Sequence, residues 1–146
     1  MEGNFPMSDV FKVNFGNARE LVLPDEGTYT LYITDYVIKP AKNEESRSKG
    51  FNVSLVFQFV EPPEGNENLK VYHNLWVSYE NPWAAKIFFE ALTGKELGDD
   101  SLDIQDPDLF LGERVGAALI HESYPANDGT TKTKLAVASP QAFFQA

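Results

Sequence analysis

The chain has 146 residues, enough for one domain with a substantial core, and its 42% hydrophobic and 13% aromatic content is ordinary globular composition. It contains no cysteine, which excludes disulfide staples and thiolate metal sites, and its net charge of -10 argues against a generally basic nucleic-acid coat. The opening MEGNFPM has neither the basic start nor the apolar stretch of a secretory signal, and no apolar run approaches the roughly 20 residues of a membrane helix, so a cytoplasmic protein without membrane contact is expected.

In chain order, VFKVNF alternates Phe11, Val13 and Phe15 with polar partners and predicts an edge strand. Residues 28–38, TYTLYITDYVI, are rich in β-branched and aromatic side chains and predict the first main strand, with Tyr29, Leu31 and Ile33 on one face and Tyr32, Thr34 and Tyr36 on the other. After a polar connection, residues 51–60 place Phe51, Val53, Leu55, Phe57 and Phe59 on one face of a second strand. The turn-rich EPPEGNEN leads to LKVYHNLWV, a third strand in which Leu69, Val71, Leu75 and Val77 alternate with Lys70, Tyr72, Asn74 and Trp76.

The period then becomes helical. NPWAAKIFFEALTG places Ala84, Ile87, Phe88, Ala91 and Leu92 on one face, with Asn81 as cap, Pro82 at the first position and Gly94 at the end. Residues 96–113 form an acidic connector with a helical turn near DPDLFLG, RVGAALIHESY predicts a fourth strand, and TKTKLAVAS a fifth, beyond a turn at Asn127, Asp128 and Gly129. The closing PQAFFQA has no clear period. Three strands, one helix and two strands is the order of the OB-fold, a five-stranded Greek-key barrel with its helix between strands three and four. One such domain is expected over residues 1–146, with its core at about 10–138.

Positive charge is concentrated. Six of the twelve Lys and Arg residues fall in two polar connections, Lys39, Lys42, Arg47 and Lys49 in one and Lys132 and Lys134 around the other. In an OB-fold these connections are expected side by side at one mouth of the barrel, flanking the face of strands two and three where nucleic acid or sugar usually lies. Single-strand binding needs cations for phosphates and flat rings for bases, and Lys70, Tyr72, Asn74 and Trp76 are expected on that face, with Tyr32 beside them. Glu44 and Glu45 reduce the excess in the first connection to two, so charge alone does not make the site. Trp83 near the helix start reads as packing.

Other chemistry finds little support. The acidic connector fails as a calcium loop started at Asp99, because Ile104 stands where Gly is required and Phe110 where Glu is required. Gly94 and Lys95 are followed by Glu96, which breaks a phosphate-loop pattern, and Asn52 to Ser54 fits a glycosylation acceptor only inside a strand. His73 and His121, the only histidines, lie in strands and assemble no metal triad from sequence. No catalysis, cofactor or metal is expected.

VFKVNF, LPDEGTYTLYI, SKGFNVSLVFQFVE, the LW of NLWV, the ALTG helix end and the LG..V step of LFLGERVG together resemble a family of bacteriophage-encoded proteins, the OB-fold single-stranded DNA-binding proteins of replication and recombination modules. Gly27 with Tyr29, Lys49 with Gly50, and Gly112 with Val115 are the matching landmarks. The resemblance implies a largely sequence-independent binder of single-stranded DNA in the host cytoplasm, with replication or recombination proteins as partners. RNA as a ligand shares the mechanism, and a homo-oligomer is compatible with it. The acidic C-terminal tail of bacterial and several phage single-stranded DNA-binding proteins has no counterpart after Asp128, and the acidic connector is an alternative docking surface for such partners. The competing expectation is a structural or adaptor barrel that binds protein through the same outward aromatics.

Overall fold

A computed structural model describes residues 22–146, so the edge strand expected at VFKVNF lies outside the described residues. The chain runs β1 (Gly27–Pro40), α1 (Glu44–Arg47), β2 (Gly50–Phe59), β3 (Lys70–Ser78), α2 (Trp83–Thr93), β4 (Arg114–Pro125), β5 (Thr131–Val137) and β6 (Phe143–Phe144). These strands form a six-stranded antiparallel sheet in the order β3-β2-β1-β4-β5, with β6 paired to β4. The molecule is therefore mainly β, with two helices. β3 and β5, the two ends of the path, touch, but no ladder among the described residues joins them, so the sheet is not closed.

The core follows from the period of two. Val53, Leu55, Phe57 and Phe59 of β2 and Val71 and Leu75 of β3 are buried on one face, as the alternation predicts. Each such side chain contributes about 1.5–3 kcal/mol when fully removed from water. β1 departs from simple alternation. Ile33 pairs with Phe57, yet the next pair is Asp35 with Val56, so Thr34 is an extra residue in a bulge. Its hydroxyl donates to the Val56 carbonyl at 3.2 Å.

The bulge reverses the phase of everything after it. Tyr36 and Ile38 turn inward, and Tyr36 stacks on Phe110 with ring centroids 4.2 Å apart, while Val37 and Lys39 turn outward. Tyr36 therefore does not share a face with Tyr32, contrary to the expectation from alternation. The same point marks a change of partner, because Ile33 exchanges backbone hydrogen bonds with Gly112 and Glu113 just ahead of β4.

In α2 the cap is displaced by one residue: Pro82 is the N-cap without a side-chain hydrogen bond, and the Asn81 backbone N–H donates to Ser78 Oγ. Gly94 ends the helix at φ 70, as expected. The buried stripe is Ala85, Phe88, Phe89, Ala91 and Leu92, so Ala84 and Ile87 lie at its margin. The two adjacent phenylalanines set this rotation, Phe88 meeting Phe143 at 4.9 Å and Phe89 meeting Phe110 at 5.6 Å.

The C-terminal segment belongs to the core, which does not stop at residue 138. Ser139 caps a short turn over Pro140–Ala142, after which Phe143 and Phe144 pair with Ala117 and Gly116. Phe143 is 5% exposed and packs on Phe57, His73 and Phe88. Gly116 lets the Phe144 ring lie directly over β4, in the space a Cβ would fill. The acidic connector is likewise stapled down, with Phe110 fully buried and Leu97, Leu102, Ile104 and Leu109 against the core. Its carboxylates stay outside, Asp103 and Asp106 each accepting a backbone N–H two residues on.

Candidate nucleic-acid interface

Cross-strand register assembles the outer face of β1, β2 and β3. Lys39, Asn52 and Trp76 form one row, Val37, Ser54 and Asn74 the next, then Asp35, Val56 and Tyr72, and finally Tyr32, Gln58 and Lys70. Adjacent strands lie roughly 4.8 Å apart, so each row is a band of neighbouring side chains. Tyr72 is 62% exposed, Trp76 38% and Val37 47%. Two hydrogen bonds fix the polar members: the Tyr32 hydroxyl donates to Gln58 Oε1 at 3.2 Å, and Asn74 Nδ2 donates to Asn52 Oδ1 at 2.8 Å.

Tyr32, Lys70, Tyr72, Asn74 and Trp76 thus share one face, as expected. Lys39 also joins it. Sequence placed Lys39 in a polar connection, but it belongs to β1, and the bulge at Thr34 is what turns it outward. Arg114, opposite Tyr32 across the β1–β4 ladder, extends the face on its other side. No local pattern reveals which strand lies beside β1, so the sequence alone does not assign Arg114 to this face. Gly50 lets the preceding connection run close to β3: a Cβ there would meet the Val77 carbonyl and stand 2.9 Å from the Trp76 ring.

The two basic connections are not side by side. Residues 41–49 follow the C-terminal end of β1, whereas the β1–β4 ladder ends at Gly27 with Leu119, and the β4–β5 hairpin continues past that end as far as Pro125 with Thr131. An antiparallel ladder puts the exits of its two strands at opposite ends, so the connections after β1 and after β4 are separated.

Their charges are also partly engaged. The Lys134 ammonium lies 3.7 Å from Glu122 and 5.4 Å above the Tyr124 ring, whereas Lys132 is exposed and has no ion pair among the described residues. In the first connection Lys49 lies 3.5 Å from Glu45, and Arg47 Nε donates to the Ala41 carbonyl at 2.8 Å. Asn43 caps α1 by accepting from Ser46 N–H at 2.7 Å, and Lys42 is exposed beside it.

The histidines have separate settings. His121 is exposed; its Nε2–H donates to the Pro24 carbonyl at 2.7 Å, and its backbone N–H donates to Glu26, tying the segment before β1 to β4. His73 points inward from β3 against Phe143 at 5.1 Å, and its Nε2 has no hydrogen-bond partner among the described residues. Burial holds its pKa below the ordinary 6.5.

No protein-family model and no curated protein matches this chain. Among the described residues no helix is long and apolar enough to cross a membrane.

Proposed function

We propose that this protein is an OB-type barrel that binds single-stranded DNA, with little sequence preference, across the outer face of β1, β2 and β3. The strand path β3-β2-β1-β4-β5, with its two end strands in contact, is the order such a barrel uses. The resemblance to phage single-stranded DNA-binding proteins points the same way. The observation that carries the reading is the register that puts Tyr72 and Trp76, both exposed, on one face with Lys39 and Lys70 in its end rows.

Bases stack on the two rings, worth about 1–3 kcal/mol each, and the phosphates run past the lysines. Binding straightens and protects the strand, and no bond is made or broken. Lys39, Lys70 and Arg114 are the cations best placed, which sets a salt slope of log affinity near about -2, against about -4 if all six cations of the two connections took part.

Titrating the protein with oligo-dT at several salt concentrations tests this, with anisotropy for affinity and tryptophan emission for stacking. Binding that weakens along that slope and quenches emission is expected. An oligo-dT whose mobility the protein leaves unchanged at low salt removes this reading and leaves the face to a protein partner.

A further inference from the structure

Beside the stacking face lies a pocket of about 430 Å³ between β3 and the start of α2, lined among others by His73, Asn74, Trp76, Ser78, Asn81 and Trp83. Two of its lining residues, Asn74 and Trp76, also belong to the outer face, so the pocket opens directly off that face. We infer that this pocket receives a single nucleobase turned out of the bound strand, with Trp83 as its second aromatic surface. The inference rests on the single-strand reading above and adds a defined subsite to it.

The lining has the chemistry a base needs. Both tryptophans of the chain line the pocket, Trp83 at 46% exposure and Trp76 at 38%, so each keeps ring surface available to a flat ligand. Trp83 is the first residue of α2, and its exposure is unusual for a helix that otherwise buries its aromatics. Trp83 is thus not a packing residue, as its position near the helix start suggests, but an exposed ring in a concave site.

The polar groups around the rings suit a base edge. Asn74 uses one amide N–H on Asn52, leaving its Oδ1 and second N–H to a ligand. Ser78 Oγ accepts from the Asn81 backbone and still has a hydroxyl hydrogen to donate, and the Asn81 side chain supplies another amide. Amides and hydroxyls both donate and accept, so the pocket takes pyrimidines and purines alike; it anchors a base without reading its identity. The pocket volume lies within the roughly 300–1,000 Å³ span of small-molecule sites, so a single ring system is accommodated.

The chain has only two tryptophans, which makes the test direct. In a Trp76→Phe variant, Trp83 is the sole tryptophan, and oligo-dT is added while anisotropy of a labelled strand and tryptophan emission are followed together. Quenching of Trp83 with the same midpoint as the anisotropy change is expected, and a Trp83→Ala variant loses affinity by about tenfold while a Trp83→Phe variant keeps most of it. An oligo-dT with abasic spacers in place of its bases is expected to bind wild type and Trp83→Ala equally weakly. Strand binding with unquenched Trp83 overturns the pocket assignment while leaving the single-strand reading intact. Absence of any oligo-dT binding by wild-type protein overturns both.

Discussion

The outer face of β1–β3 and the β4–β5 hairpin contain similar residues and differ in what those residues already touch. On the hairpin, Lys134 lies over Tyr124 and against Glu122, a small closed set of charge and ring. On the face, Lys70 stands opposite Gln58 and has no ion pair among the described residues, and the carboxylate in the next row, Asp35, lies on β1, across Val56 from Tyr72. The comparison teaches that lysine and tyrosine together do not define a binding surface. A cation that already has a carboxylate adds little to polyanion binding, because its partner's charge remains beside it.

The largest effect expected of this contrast is on the rings. Tyr72→Ala and Trp76→Ala each cost about 1–3 kcal/mol of oligo-dT binding by anisotropy, with the melting temperature nearly unchanged, whereas Tyr124→Ala on the hairpin leaves affinity as it was. A comparable effect on folding is expected from Gly50→Ala, whose Cβ would press on the Val77 backbone below Trp76. Overpacking of this kind costs about 1–3 kcal/mol, read by urea denaturation, and displaced Trp76 emission reports the shift in place.

The inner side of β3 supplies the next contrast. His73 has its pKa lowered by burial, so as pH falls below 6.5 the unfolded chain binds a proton that the folded chain resists. Stability therefore declines from that pH downward through the lowered folded value, and His73→Phe is expected to flatten this part of the urea-midpoint profile. Smaller still are the lysines of the face: Lys39→Gln and Lys70→Gln each reduce the steepness of the salt slope by about 0.7. Smallest is the hairpin, where Lys134→Gln leaves the slope unchanged and moves stability by less than about 0.5 kcal/mol. A slope that drops as much for Lys134→Gln as for Lys70→Gln would erase the distinction between the two regions.

Much of this was legible in the sequence because it depends on local period. The strands β1 to β5 and the helix α2 follow from alternation, helical spacing and punctuation by Pro and Gly, and the outward set Lys70, Tyr72, Asn74 and Trp76 follows from the inward set Val71 and Leu75. A bulge leaves no such trace. Thr34 is as good a strand residue as its neighbours, so nothing local says that Tyr36 turns to Phe110 and Lys39 turns to the face. Phe143 is a similar case, a lone side chain in an aperiodic segment whose burial depends on space left between α2, β3 and β4.

By itself, then, the amino-acid order determined where β1 to β5 lie, which face of β2 and β3 is wet, and where the helix ends, since each of these is a contest between neighbours a few residues apart. Only the tertiary structure decided which cations meet which rings. Antiparallel pairing sent the two basic connections to opposite ends of the β1–β4 ladder, a single bulge moved Lys39 onto the face, and the junction of β3 with α2 brought Trp83 to the same pocket as Trp76. Those outcomes depend on contacts far apart in the chain, where register and packing, not composition, set the distances.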